Sequence, residues 1–299
     1  MELLSPQNWP EYELIDSGEF EKLERFGSRI IARPEPQAIW DKNLSSDEWQ
    51  KMADAYFIKG KLSKGTGFGN DYERGEWRLK PGIKEQWYLN YEYQQMHLKF
   101  RLGLTSFKHI GVFPEQVSNW NYIYDTIKGF NQSGLKVLNL FAYTGGASLA
   151  AKAAGADVTH LDSVKQVVSW ARENMEVSNL NDIRWIIDDA VKFVSREARR
   201  GNFYNGIILD PPAYGRGPEG EKWILEEGIN ELLKGCNQIL SSSNSFMVLN
   251  LYSIGFSALI AESLTKSIFG DNNLEIGELF VTDKGLRRLP LGVFARFKK

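Results

Sequence analysis

The sequence holds a single cysteine in 299 residues, Cys236. That excludes an internal disulfide framework and suits a reducing compartment. Its three histidines, His97, His109 and His160, are scattered, and no Cys/His spacing marks a metal site. No apolar run is long enough to span a bilayer, and no basic-plus-apolar leader is visible, so a cytoplasmic protein with no membrane partner is expected. The dinucleotide pattern Gly-x-Gly-x-x-Gly is missing, which weakens a nicotinamide reading. A strong charge excess is missing too. The net charge of −2 is not that of a general nucleic-acid coat protein, although a local basic patch would still serve RNA binding. Repeats and low-complexity tracts are absent.

What is present reads as an ordinary globular chain, 42% hydrophobic and 25% charged. The length suits one large domain or two modest ones. Residues 1–105 form a β-rich region, a candidate substrate- or RNA-binding module. Arg29–Pro34 and Gln86–Tyr93 are β-branched or aromatic and read as strands. Leu98–Leu102 and Phe107–Phe113 suggest a hairpin around Gly103–Ser106. Lys59–Gly82 reads as an exposed loop or a hairpin with a long tip. Gly65–Gly69 within it would cradle phosphate only if a helix followed, and none does, so a flexible loop is the preferred reading. Residues 106–299 form a second domain, and from Asn119 onward strand and helix patterns alternate, predicting a mainly parallel sheet with helices on both faces. Val164, Val167, Val168, Ala171 and Met175 mark one helix, Ile224–Leu240 a second and Ser257–Ser267 a third. Ser245–Leu251 reads as a strand, and Val293–Phe297 as a final edge strand.

Four successive predicted strands carry, at their carboxyl ends, Gly-Gly, Asp, Asp and Asp-Pro-Pro. The first strand runs from Val137 through Tyr143-Thr144-Gly145-Gly146 into an Ala-rich helix. Glycines there permit close approach of a ligand to the backbone, and a helix N-terminus offers N–H groups. The second ends in Asp162, placed roughly 20 residues past the glycine turn to bind ribose hydroxyls. The third ends in Asp188-Asp189-Ala190, where a carboxylate can accept from an adenine amino group. The fourth is Ile207-Ile208-Leu209 followed by Asp210-Pro211-Pro212-Ala213-Tyr214. Each proline locks its own φ and lacks an N–H, so the segment is stiff and its carbonyls are left free. Asp210 and the Pro211 carbonyl would accept from an amino group while Tyr214 stacks on a flat ring. An ordinary turn is the competing reading of the same residues.

These residues resemble the class I S-adenosylmethionine-dependent methyltransferases. They are most similar to bacterial enzymes that modify cytosine C5 or guanine N7 of large-subunit ribosomal RNA. The resemblance covers roughly residues 95–299. It rests on Leu98-Lys99-Phe100, His109–Gln116, Phe141–Gly146, Asp162-Ser163 with Trp170–Asn174, Asp188-Asp189-Ala190 and Asp210-Pro211-Pro212. Asp210–Trp223, with its Gly215–Pro218 insert, looks like an uncharacterised bacterial branch. The resemblance implies a Rossmann-like, doubly wound, seven-stranded α/β sheet and S-adenosyl-L-methionine as cofactor. It implies a cofactor pocket of Phe113, Pro114, Gln116, Tyr143, Thr144, Gly145, Gly146, Asp162, Ser163, Asp189, Ala190 and Asp210. Asp210, Pro211, Pro212 and Tyr214 would serve the acceptor, and no metal is implied.

Family members that methylate cytosine C5 carry a cysteine after the fifth strand, because a thiolate must add to C6. Here that region is Leu249-Asn250-Leu251-Tyr252-Ser253, and Cys236 falls within a helical pattern as a buried structural residue. His160 and Trp170 read as structural, and the basic tail (Lys284, Arg287, Arg288, Arg296, Lys298, Lys299) as phosphate-binding or simply solvated. The expected function is therefore methyl transfer to a nitrogen of an RNA base, with ribosomal RNA as substrate partner. Methylation of a protein amide or a small molecule is a second reading, and a non-catalytic cofactor-binding RNA assembly factor a third.

Overall fold

A computed structural model describes residues 1–60, 74–252, 255–271 and 273–299. The first third of the chain runs β1 (Glu2–Leu4), β2 (Tyr12–Gly18), β3 (Glu21–Phe26), β4 (Arg29–Pro34), α1 (Ser46–Met52), β5 (Ala55–Lys59), β6 (Gly75–Leu79), β7 (Gln86–Tyr93) and β8 (Met96–Gly103). It continues with α2 (Val117–Gly129), β9 (Lys136–Leu140), α3 (Gly146–Ala153), β10 (Asp157–Asp162), α4 (Lys165–Val177), β11 (Ile183–Ile187), α5 (Ala190–Arg200) and β12 (Gly206–Leu209). The last part is β13 (Tyr214–Arg216), β14 (Lys222–Ile224), α6 (Leu225–Ile239), β15 (Phe246–Leu251), α7 (Ala258–Phe269), β16 (Glu275–Thr282) and β17 (Arg288–Lys298).

The large sheet has the order β1-β16-β17-β15-β12-β9-β10-β11. Strands β9 to β12 and β15 are parallel, and β17 runs antiparallel between β15 and β16. The expected doubly wound seven-stranded sheet is thus present, with β1 added as an eighth strand parallel to β16. Strands such as β12 and β15 are buried along their whole length, which is why they read as unbroken apolar runs. Alternate side chains enter two cores. Val137, Ile208 and Val248 join Leu149 and Ile123 on the face covered by α2 and α3, while Leu138, Ile207 and Leu249 join Phe193, Leu232 and Ala261 on the face of α5, α6 and α7. Chain connections leave β9 and β12 in opposite directions across the sheet, so their carboxyl ends open a crevice, the usual ligand position in such sheets.

The amino-terminal region builds a five-stranded sheet, β2-β3-β4-β5-β6, and a β7–β8 hairpin. Trp9, Tyr91 and Trp120 pack edge to face and join it to α2. Asp16, fully buried, pairs with Arg287 at 2.6 Å, and Ser17 Oγ donates to Asp283 at 3.0 Å, tying β2 to the β16–β17 turn.

Three expectations change. The partner of Met96–Gly103 is Gln86–Tyr93, turning at Gln94 with φ 51°, and Phe107–Phe113 forms no strand. That segment contributes one bridge, Arg74 to Phe107, and then passes Gly111, φ +105°, against the Trp170 indole. The final strand is longer than expected and lies inside the sheet, because the β16–β17 hairpin folds back and puts β16 and β1 outside it. The prolines of Asp210–Tyr214 do not leave every carbonyl free, since Trp223 Nε1 donates to the Pro212 carbonyl at 2.8 Å. β5, ending at Lys59, and β6, within the Lys59–Gly82 stretch, pair as an antiparallel hairpin. The Gly65–Gly69 reading lies outside the described residues.

Candidate active site

A cleft of about 560 Å³, its open mouth included, lies over the carboxyl ends of β9, β12 and β15. The turn after β9 forms its floor, in a costly conformation. Phe141 (φ 55°), Tyr143 (φ 48°) and Gly145 (φ +94°) all occupy the left-handed region. For the two non-glycine residues this costs on the order of 1–2 kcal/mol each, and such strain persists where the surroundings fix it. Asp162 Oδ2 accepts from the Tyr143 N–H at 2.9 Å, and the Thr144 hydroxyl donates to the Gly111 carbonyl at 2.6 Å. Gly146 opens α3 so close to the Trp120 indole that a Cβ would collide with it. The turn therefore presents backbone, not side chains, to the cleft.

The structure brings together Phe113, Gln116, Tyr143, Thr144, Gly145, Gly146 and Asp210 in this lining. Asp162 supports the turn from behind, with Oδ1 accepting from Val164 N at 3.0 Å, and burial raises its pKa. Asp189 caps α5 by accepting from Lys192 N at 2.9 Å, while Asp188 pairs with Arg196. Pro114, Ser163, Ala190, Pro211 and Pro212 do not line the cleft. Tyr214 is half-buried and starts the small β13–β14 hairpin, also outside the lining.

Asp210 is the only charged residue among the lining residues. Burial lifts its pKa to about 6, against the hydrogen bond that Asn250 Nδ2 donates to its Oδ1 at 2.6 Å. Asn250 was not among the residues singled out as functional. The available signal was one amide inside the apolar run Phe246–Leu251. Asn139 carries the same signal in β9. It lines the cleft and donates to Ser148 Oγ at 2.9 Å, and Ser148 in turn meets His160 Nδ1 at 3.0 Å. His160 is structural, as expected. It is fully buried, and burial depresses its pKa to about 3, so it stays neutral. Cys236 is likewise fully buried in α6, where burial pushes the thiol pKa far up.

The cleft suits a molecule with a polar amino-acid end and a cationic centre. It offers backbone N–H groups at a strained turn, the amides Gln116, Asn119 and Asn139, aromatic walls, and a single carboxylate as its only charge. Among the described residues no group of three or more His, Cys, Asp or Glu could hold a metal, and no helix is long and apolar enough to cross a membrane.

Comparison with known proteins points to one family. The family described as S-adenosylmethionine-dependent methyltransferase matches residues 78–269. A solved S-adenosylmethionine-dependent methyltransferase from Agrobacterium tumefaciens is 38% identical, with a TM-score of 0.89, over 100% of this chain and 93% of its own. A putative S-adenosylmethionine-dependent methyltransferase from Streptococcus mutans shares the fold at 15% identity and a TM-score of 0.70, over 97% of this chain and 76% of its own. Ribosomal RNA large subunit methyltransferase K/L of Shewanella frigidimarina is 31% identical over 156 residues, 51% of this chain and 21% of that protein. The chain thus spans about a fifth of the length of that curated relative.

Proposed function

The chain belongs to the S-adenosylmethionine-dependent methyltransferases, and from that premise we propose that it methylates a nitrogen of an RNA base, in ribosomal RNA. The enzyme uses S-adenosylmethionine, which when bound supplies a methyl group already activated on a sulfonium. The protein's task is then to place a nucleophile in line and to exclude water. Asp210 carries the reading. It is a carboxylate at the end of the central strand β12, in the crevice, with no other charge beside it. Its free lone pairs accept the hydrogens of an amino group and aim the nitrogen's own lone pair into the cleft. Cytosine C5 would need a thiolate to add at C6, and the only cysteine is sealed in α6. The ribosomal RNA assignment is supported by the names of the sequence relatives.

In this reading Phe113, Pro114, Gln116 and Tyr143–Gly146 flank the cofactor, Asp162 and Ser163 its ribose, and Asp189 and Ala190 its adenine. Asp162 accepts from the backbone N–H groups of Tyr143, Val164 and Ser163, leaving capacity for one ribose hydroxyl. Tyr214 would stack on the base, and residues 1–105 would serve as the RNA-facing module.

Labelled methyl transfer to unmodified ribosomal RNA, total protein and small-molecule extract tests the function. Label in RNA supports it, and label confined to protein or small molecules overturns it. Cofactor binding without transfer to any extract would indicate the assembly-factor reading. For the cofactor site, Asp162→Ala is expected to weaken binding by about 1–3 kcal/mol, the scale of a lost charge-assisted hydrogen bond. Calorimetry with S-adenosylhomocysteine checks this, and unchanged affinity removes Asp162 from the site.

A further inference from the structure

Next to the cofactor cleft lies a second, smaller hollow of about 280 Å³, most of it open mouth, lined by Lys22, Arg33 and Glu35 of the amino-terminal sheet, by Glu115, and by Tyr252 just past β15. Phe113 lines both spaces, so the hollow and the cleft share a wall. Tyr252 follows Asn250, the partner of Asp210, by two residues, and its hydroxyl donates to Glu35 at 3.1 Å. The hollow therefore adjoins the cleft that holds Asp210.

Its walls carry an unusual density of buried charge. Lys22, Arg33, Glu35, Lys108 and Glu115 are each less than a tenth exposed. Burying charges is costly even when they pair, and the arrangement is poor as a device for stability alone. Most of the groups are satisfied. Arg33 Nε donates to Glu24 at 2.6 Å, and Lys22 lies 3.2 Å from Glu35 and 3.7 Å from Glu24. Glu115 differs. It is 4% exposed, and among the described residues its carboxylate has no side-chain hydrogen-bond or ion-pair partner, only its own backbone N–H. Burial raises its pKa to about 7 despite Lys22 and Arg33 nearby. A buried carboxyl left this way is an acceptor awaiting a donor.

The charge count limits that donor. Three basic side chains, Lys22, Arg33 and Lys108, and two acids, Glu35 and Glu115, line it, and the buried Glu24 behind Lys22 and Arg33 brings the acids to three. Neither a phosphate nor an ammonium group meets a net counter-charge, so a neutral ring with both donors and acceptors fits best. We propose that this hollow is the acceptor subsite, in which Glu115 accepts N–H groups of the target base while Lys22 and Arg33 face its carbonyl edge. The proposal rests on the RNA-base reading above and makes the amino-terminal sheet a wall of the active site. A base drawn out of its helix would enter past Phe113.

The test is steady-state and single-turnover methyl transfer to a ribosomal RNA transcript, with S-adenosylhomocysteine affinity measured in parallel. Glu115→Ala should raise KM for RNA tenfold or more, with cofactor affinity within twofold of wild type. Glu115→Gln keeps one acceptor oxygen and should raise KM two- to fivefold, and it carries the test if the alanine variant does not fold. A merely structural residue would move both affinities together, and that result overturns the subsite. Wild-type KM in both variants also overturns it and leaves the RNA reading standing. If the wild-type enzyme methylates no RNA, the RNA reading falls and the subsite with it.

Discussion

Asp210→Ala is expected to slow methyl transfer by about 10²-fold or more while cofactor affinity stays within a few-fold, the pattern of a lost positioning group. Asp210→Asn should fall much less, because its amide oxygen still accepts a hydrogen bond. The pH dependence separates the two further. Burial holds the Asp210 pKa at about 6, so single-turnover transfer should fall as pH drops through 6 and the carboxylate protonates. Asp210→Asn should lose that limb, since an amide does not titrate. Asn250→Ala should move the limb upward, because the Asn250 hydrogen bond favours the ionised carboxylate. No other charged group lines the cleft among the described residues, and Glu115, whose pKa burial raises to about 7, faces the neighbouring hollow, so saturating RNA is used to isolate Asp210. Wild-type transfer by Asp210→Ala would reduce Asp-Pro-Pro to a turn and send the search for the acceptor site to Asn250–Ser253.

Glu24→Ala should destabilise the fold by about 3–5 kcal/mol, the range for breaking a buried ion pair on one side only. Glu24 is fully buried and Arg33 3% exposed. Burial alone would raise the Glu24 pKa, but Arg33 and Lys22 outweigh it and hold the pKa below its usual value. Without Glu24 the Arg33 guanidinium keeps its charge and loses its partner at 2.6 Å, and the Tyr12 hydroxyl loses the acceptor it reaches at 3.0 Å. Replacing the pair together, Glu24→Leu with Arg33→Met, should recover most of the loss. Urea unfolding of the three proteins decides the matter, and a loss below about 1 kcal/mol for Glu24→Ala would show that water or a neighbour takes over the pairing.

Sequence reading identified the features that depend on local pattern. The β9 turn, the acids ending β10 and β11, the Asp-Pro-Pro after β12, and the helical settings of Trp170 and Cys236 all stand where spacing put them. It did not identify features made by distant contacts. The Asn250–Asp210 pair joins residues forty positions apart, and the lone amide in the apolar run Phe246–Leu251 does not say which residue it meets. Lys22, Arg33 and Glu115 share no local pattern, because only the folded chain buries them together. The β7–β8 pairing was missed for a related reason. Gly103–Ser106 has turn composition, yet the turn used is at Gln94, where register with Gln86–Tyr93 matches eight residues on each side.

The strand β1 also sets an order of events in folding. Glu2 pairs with Gly277, closing a loop of 275 residues for a bridge of only three. Closing so long a flexible loop costs roughly 5 kcal/mol beyond a constant, more than three edge pairs return. The strand must therefore dock last, after β2–β8 and the central sheet have shortened the effective loop and the β16–β17 hairpin exists as a template. On the ribosome β1 emerges long before β16, so β1 waits without its partner strand until the β16–β17 hairpin has been made. Deleting residues 1–4 should then leave refolding rates nearly unchanged while accelerating unfolding, the signature of contacts formed after the transition state.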